Sequence, residues 1–415
     1  MAFAPANDRE VGLMPLAEAH AAIRSQLSPV LSQETVPLSR ARGRILALDL
    51  VAGVDLPLSN NSAVDGFAIR ASDLSTNRTV RLKLVGEAAA GRPFSGVVEP
   101  GQAIRIFTGA TVPTGADTIV MQEYCVVEGD TVGLPSHAQG NSNWRQRGED
   151  MGQGSRVLRA GHRLRTDDIA LAGALGCKEL PVFKRLRVGL FSTGDELCEP
   201  GEPLQAGQIW DANRSLLCGL LEQMGCDVHD LGIIRDEPRA LEGALSAAAR
   251  DADLLVTSGG MSVGREDHMR AIIGRRGTLD VWRLAVKPGK PVGLGDIDAC
   301  PILALPGNPI AAVVAFIALG RAVVEMLSGA SEEPSTSFVP AGFTYEKKKG
   351  MRHYLLAGIT KGRGGVSTAV SQARQGSAML SAMAASSGFI VLAEDCECVQ
   401  LHDLVEFLPL GLLFG

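Results

Sequence analysis

The chain has 415 residues, of which 46% are hydrophobic, 4% aromatic and 21% charged, with a formal charge of −6. That length exceeds one ordinary core, so several domains are expected, built on aliphatic rather than aromatic side chains. The acidic balance, with a pI of about 5.7, argues against a sequence-independent nucleic-acid binder but allows a local basic pocket for a small anion.

The N-terminal MAFAPANDREVGLMPL has no basic region followed by an apolar one, so no signal peptide is read. Residues 15–28 carry Leu16, Ala19, Ile23 and Leu27 at helical spacing. From about 34 to 180, β-branched runs such as TVRLKLVG, AIRIFTG and DTIVMQEYCVVEG alternate with Gly and Pro turns, which predicts a mostly β region. From about 186 to 329 strands alternate with helices. The predicted strands are LRVGLFST, DVHDLGIIR, DLLVTSGG, VWRLAV, PVGLG and PILALPG. The helices are NRSLLCGLLEQMG, PRALEGALSAAARDA, HMRAIIGRR and NPIAAVVAFIALGRAVVEMLSG. The first has Leu216, Leu217, Leu220, Leu221 and Met224 on one face; the last is apolar nearly all round and predicts a buried helix. Its apolar run, 310–320, reads as too short to span a membrane. The alternation predicts a mostly parallel sheet with helices on both faces. SEEPSTS (331–337) reads as a linker, and 338–415 as β-rich with a helix at MLSAMAAS.

The cysteines at 125, 177, 198, 218, 226, 300, 396 and 398 contain no CxxC pair, so neither a zinc ribbon nor a thioredoxin-like motif is supported. Their scatter reads as reduced cytosolic thiols, and CEC at 396–398 as ordinary thiols with a weak metal hint.

In an open parallel sheet, ligands bind at the carboxyl ends of the strands. Three predicted strands end in suitable turns: FSTGDEL (191–197), VTSGGMSVGRED (256–267) and LPGNP (305–309). In the last, after Pro306, Gly307 makes the turn, Asn308 can cap the helix and Pro309 suits its first position. The helix start then presents N–H groups to an anion, unless the segment is only a cap. Ser258, Gly259, Gly260 and Ser262 offer backbone and hydroxyls for a phosphate, or form a structural turn. No GK[ST] follows and no GxGxxG is present, so a Walker A loop and a nicotinamide cofactor are unsupported. KPGKP (287–291) holds Lys287 and Lys290 on a stiff turn, which suits an oxyanion or a solvated surface. Glu196, Asp236 and Asp267 add carboxylates beside these turns, with Asp65 and Asp150 in the β region. Asp236 and Asp267 read equally as helix caps, and Asp65 and Asp150 as turn residues. Carboxylates and anion cradles coexist when a hard cation such as Mg²⁺ bridges them.

Taken together, SAVDGFA (62–68), FTGATVPTGADTIVMQE (107–123), RGEDMGQG (147–154), FSTGDEL, GQIWDANRSLL (207–217), TSGGMSVGREDH (257–268), KPGKPVGLG (287–295), LPGNPIAA (305–312) and QGSAMLSAMAASSG (375–388) resemble the molybdopterin molybdenumtransferase family. Its eukaryotic relatives include the E domain of gephyrin. The resemblance implies an L-shaped, four-domain subunit combining a molybdopterin-binding α/β domain with β-rich inserted and C-terminal domains. The expected divisions are 13–33 with 180–330 (α/β), 34–54 with 155–179 (connecting), 55–154 (inserted) and 331–415 (C-terminal). It also implies a homodimer with clefts between subunits, and as further partners the molybdopterin adenylyltransferase and downstream molybdoenzyme apoproteins. Neither nucleic acid nor membrane is expected.

The implied reaction takes adenylated molybdopterin and molybdate, cleaves the phosphoanhydride, and releases molybdenum cofactor and AMP. The implied phosphate and oxyanion ligands are Ser258, Gly259, Gly260, Ser262, Lys287, Lys290, Gly307 and Asn308, with Ser377 and Arg352 toward molybdate. Glu196, Asp236 and Asp267 are the implied Mg²⁺ set, with Asp65 and Asp150 from the other subunit; Thr108 lines the cleft. Two departures stand out. Val64 replaces a methionine, and GMRHYLLAG (350–358) keeps Arg352 and Tyr354 but has His353 in place of an acid and lacks a later arginine. An adenylyltransferase on the same α/β domain and a non-catalytic molybdopterin-binding scaffold are the alternatives.

Overall fold

In the computed structural model the chain is described at residues 12–30, 32–75, 78–235, 237–259, 268–331, 336–361 and 367–411. Asp236, Gly260, Ser262 and Asp267 lie outside these residues. The alternating region forms one sheet, in the order Asp227–Ile234, Arg187–Thr193, Leu254–Ser258, Cys300–Leu305, Val292–Ile297 and Gly277–Trp282. The pairings among the first four strands are parallel and the rest antiparallel. The antiparallel part has a local cause. The 292–297 and 300–305 strands are joined through Asp298 (φ 49°) and Ala299 (φ 67°). Two consecutive left-handed residues make a tight hairpin turn, which returns the chain antiparallel.

Helices cover both faces. Leu16–Gln26, Asn213–Gln223 and the helical stretch from Pro309 bury Ile23, Leu217, Leu220 and Val313 against Val188, Leu190 and Val256. Pro238–Asp251 and His268–Arg276 bury Leu241, Leu245 and Ile272 against Phe191 and Leu255. Each such leucine contributes about 1.5–3 kcal/mol by leaving water. Strand alternation therefore turns Ser192 and Ser258 toward the first face, and Thr193 and Thr257 toward the second.

Two expectations need correction. The helix Pro309–Ser328 runs for 20 residues, so by length and composition it is long enough to cross a membrane; it is 72% buried in the protein, which makes it a core helix. VWRLAV is not one strand. Val281 and Trp282 end the α/β sheet, while Val286–Lys287 joins the C-terminal sheet. Between them Met14 captures the chain, donating to Arg283 O and accepting from Ala285 N, each at 2.8 Å.

The connecting region pairs Gln33–Pro37 with Glu179–Phe183 and Leu50–Val51 with Arg156–Leu158, around Val36, Leu46, Leu164 and Leu180. The β-rich sheet runs Thr118–Met121, Gly66–Ile69, Gln102–Ile106, Val80–Ala88, Thr131–Leu134, Val126–Glu128. It has a core on each face, which is why GFAI reads as continuously apolar. In the C-terminal sheet, Val286–Lys287, Arg352–Lys361, Gly388–Leu392, Leu404–Pro409 and Ser337–Pro340 lie side by side. One face packs Tyr354, Leu356 and Phe389 into the α/β core, which fixes this sheet against the α/β domain.

Candidate active site

Three strand-end turns meet at the carboxyl edge of the parallel strands. Gly259 (φ +92°) follows the 254–258 strand, and a Cβ there would lie 2.7 Å from Thr193 O, so only glycine fits. A Cβ on Gly307 would lie 3.8 Å from Gly259 Cα, so the FST, TSGG and LPGNP turns are contiguous. Asn213 ties them together: its Nδ2 donates to Ser258 Oγ and to Gly307 O, each at 2.7 Å. Ser258 Oγ in turn donates to Pro306 O at 3.2 Å. Asn308 opens the helix, with Pro309 in its first turn, but makes no side-chain cap. The N–H a cap would take, that of Ile310, is given to Ser377 O at 2.8 Å.

The hydroxyls of Ser192, Thr193 and Thr257 are buried here without a hydrogen-bond partner among the described residues. Buried polar atoms are normally paired; of the three, Ser192 lies on the same face of the sheet as Ser258, and Thr193 and Thr257 lie on the other. The sequence reading missed these hydroxyls and Asn213. The signal was present: polar residues closing apolar strands, and an asparagine opening the helix after GQIWDA.

KPGKP packs on the helix that leaves this edge. A Cβ on Gly289 would lie 3.5 Å from Val314 Cγ1 and 3.6 Å from Ala315 N. Lys287 is paired in register with His353. Lys290 Nζ lies 3.2 Å from Met351 Sδ, and Lys347 Nζ donates to Met351 O at 2.8 Å. Burial, with Arg283 and Lys287 nearby, holds the Lys290 ammonium below the ordinary lysine range. Burial first, then Lys287, Lys347 and Lys290, pushes His353 down to about 4. Its Nε2 is buried and has no hydrogen-bond partner among the described residues. A chain of net charge −6 thus concentrates cations at one spot. Arg352, expected as an anion ligand, is paired with Glu394 at 3.1 Å.

Asp65 and Thr108, far apart in sequence, are brought together. Asp65 Oδ1 accepts from both the Thr108 N–H and the Thr108 hydroxyl at 2.7 Å. These bonds, the backbone one first, hold the Asp65 carboxyl below the usual carboxylate range. Asp150 is exposed, its N–H donating to Leu56 O at 3.1 Å. Glu196 is exposed beside Gly194, where a Cβ would meet Glu196 Oε2 at 2.5 Å. No hydrogen bond or ion pair joins Asp65, Thr108 or Asp150 to the strand-end turns among the described residues. No group of three or more His, Cys, Asp or Glu is placed to hold a metal among those residues. The two other carboxylates of the expected Mg²⁺ set lie outside them.

The arrangement defines a class: a multidomain α/β protein with anion-type turns at the edge of a mostly parallel sheet and a lysine cluster on the C-terminal sheet that packs against the helix leaving that edge. Residues 14–176 match the MoeA N-terminal region (domain I and II), 189–325 the family described as "Probable molybdopterin binding domain", and 339–410 the MoeA C-terminal region (domain IV). The chain is 36% identical to a molybdopterin molybdenumtransferase of Haemophilus influenzae over 97% of its own length and 100% of the relative's. It is 37% identical to one from a Nostoc species, over 74% and 72%. A crystal structure of the molybdopterin biosynthesis moeA protein from Pyrococcus horikoshii superposes with a TM-score of 0.82 at 27% identity, over 95% of this chain and 99% of that one. The chain belongs to the MoeA family of molybdopterin molybdenumtransferases, enzymes of molybdenum cofactor biosynthesis. The adenylyltransferase and scaffold alternatives are set aside.

Proposed function

We propose that the enzyme binds adenylated molybdopterin across the strand-end turns and molybdate at the lysine cluster, cleaves the phosphoanhydride, and releases molybdenum cofactor and AMP. The observation that carries this reading is two anion sites of different build, one at the start of the helix from Pro309 and one on the turn that packs against Val314 and Ala315 of the same helix. One is built of backbone amides, those of Gly307 and Asn308 in the turn held by Asn213 and Ser258, and suits a phosphate chain. The other is Lys287 and Lys290 on one turn beside Lys347, suited to a small oxyanion. Holding both substrates in register converts metal capture by the dithiolene sulfurs into a local step.

The residues proposed to hold Mg²⁺ are Glu196, exposed just past the end of the 187–193 strand, with Asp236 and Asp267, which lie outside the described residues; carboxylate oxygens are the donors this hard cation takes. When bound it supplies charge neutralisation at the phosphates. Molybdate-stimulated AMP release from adenylated molybdopterin, with the product able to activate an apoenzyme, is the expected result. Binding without release would instead make the protein a carrier.

The active unit proposed is a homodimer in which Asp65, Thr108 and Asp150 of one subunit complete the strand-end site of the other. What supports it is that Asp65 and Thr108 are bonded to each other beside the Gly66–Ile69 and Gln102–Ile106 strands, in a sheet separate from the one that carries the strand-end turns. Co-expressed Asp65→Asn and Lys287→Ala/Lys290→Ala chains should then recover about a quarter of wild-type turnover, since half the dimers are mixed and each mixed dimer keeps one intact site. No recovery would place the whole site within one chain. The eight cysteines are all free, which supports a reducing, cytoplasmic setting.

A further inference from the structure

We infer that Asn213 is a positioning residue for this reaction: its carboxamide aims the backbone donors of the 306–308 turn at the phosphates of the substrate. The inference rests on the adenylate reading above. Asn213 opens the helix Asn213–Gln223 and is only 9% exposed. Both hydrogens of its Nδ2 are committed to protein, one to Ser258 Oγ and one to Gly307 O. Ser258 passes the restraint on to Pro306 O. Two consecutive carbonyls of the turn, those of Pro306 and Gly307, are thus held by one asparagine–serine unit.

Peptide planarity turns that hold into a direction. Neither the 306–307 nor the 307–308 bond is among the cis peptides. In a trans peptide the carbonyl and the following N–H point opposite ways. Fixing the Pro306 and Gly307 carbonyls inward therefore points the N–H groups of Gly307 and Asn308 outward. Both residues are exposed, and neither N–H makes a hydrogen bond among the described residues. The next position has no N–H because it is Pro309, and the N–H of Ile310 is taken by Ser377 O. Among the described residues, the free donors of the 306–308 turn are these two, and Asn213 sets where they point. The Ser258 hydroxyl proton is spent on Pro306, so Ser258 acts through the turn rather than on the ligand.

The test uses full-length Asn213→Ala, Ser258→Ala and the double variant, with adenylated molybdopterin, molybdate and Mg²⁺. The KM for the adenylate is expected to rise about tenfold to a hundredfold in each single variant. The KM for molybdate should stay within about twofold, because the lysine turn is untouched. The double variant should lose no more than the worse single one, since both changes break one unit. Should Asn213→Ala not fold by circular dichroism, Ser258→Ala, which deletes only a hydroxyl, carries the test. A wild-type adenylate KM in a folded variant, or equal rises in both KM values, overturns the inference. A wild-type enzyme that releases no AMP from the adenylate is a separate result, and it overturns the reading beneath.

Discussion

Asp65→Asn is expected to lower molybdate-dependent AMP release by about a hundredfold to ten-thousandfold while the protein stays folded. The local geometry explains why the two effects separate. Thr108 places its N–H and its hydroxyl on the same oxygen, Oδ1. An amide oxygen accepts both bonds equally well, so the substitution keeps the turn and removes only the negative charge. The pH dependence has a definite sign. Because the Thr108 bonds depress the Asp65 carboxyl below its unfolded value, its contribution is present above that value and is lost only as pH falls through the depressed one. An acid limb of kcat near the ordinary carboxylate range therefore belongs to another group. Thr108→Ala should move the Asp65 titration back up toward that range. Wild-type turnover in folded Asp65→Asn would remove this residue from the mechanism.

Lys290→Ala should raise the KM for molybdate by about tenfold to a hundredfold, the range of a lost charge-assisted contact, with the KM for the adenylate little changed. The wild-type enzyme should also lose molybdate affinity at a lower pH than an ordinary lysine would allow. Burial, Arg283 and Lys287 depress the Lys290 ammonium. Its charge, and the attraction for an oxyanion, is present below the depressed value and disappears as pH rises through it. Between that value and the unfolded one the unfolded chain binds more protons, so this residue makes stability rise with pH in the same window where affinity falls. Opposite trends in thermal midpoint and molybdate KM over that window are the signature. A molybdate KM in Lys290→Ala equal to wild type would place the oxyanion elsewhere.

Much of the fold was legible because it depends on short-range pattern. Leu217, Leu220 and Leu221 follow helical spacing and are buried as that spacing requires. The strand-end turns carry Gly and Pro whose backbone needs are local. The antiparallel edge of the sheet was written in a tight turn, but its outcome required the left-handed pair at 298 and 299. The helix from Pro309 was legible as apolar, whereas its place inside the core depends on the elements that surround it.

The sequence by itself determined most of the elements, the anion-type turns and the family, because those rest on residue identity and spacing along one chain; the split of VWRLAV between two sheets was not among them. Tertiary structure alone decided which of these groups act together. It set one asparagine against two turns, drew Asp65 onto Thr108, and spent Arg352 on Glu394. It also left Asn308 without its cap, because a C-terminal carbonyl reached the helix first. The physical reason is the same in each case. A hydrogen bond or charge pair acts over about 3–4 Å, and only folding brings residues tens or hundreds of positions apart within that reach.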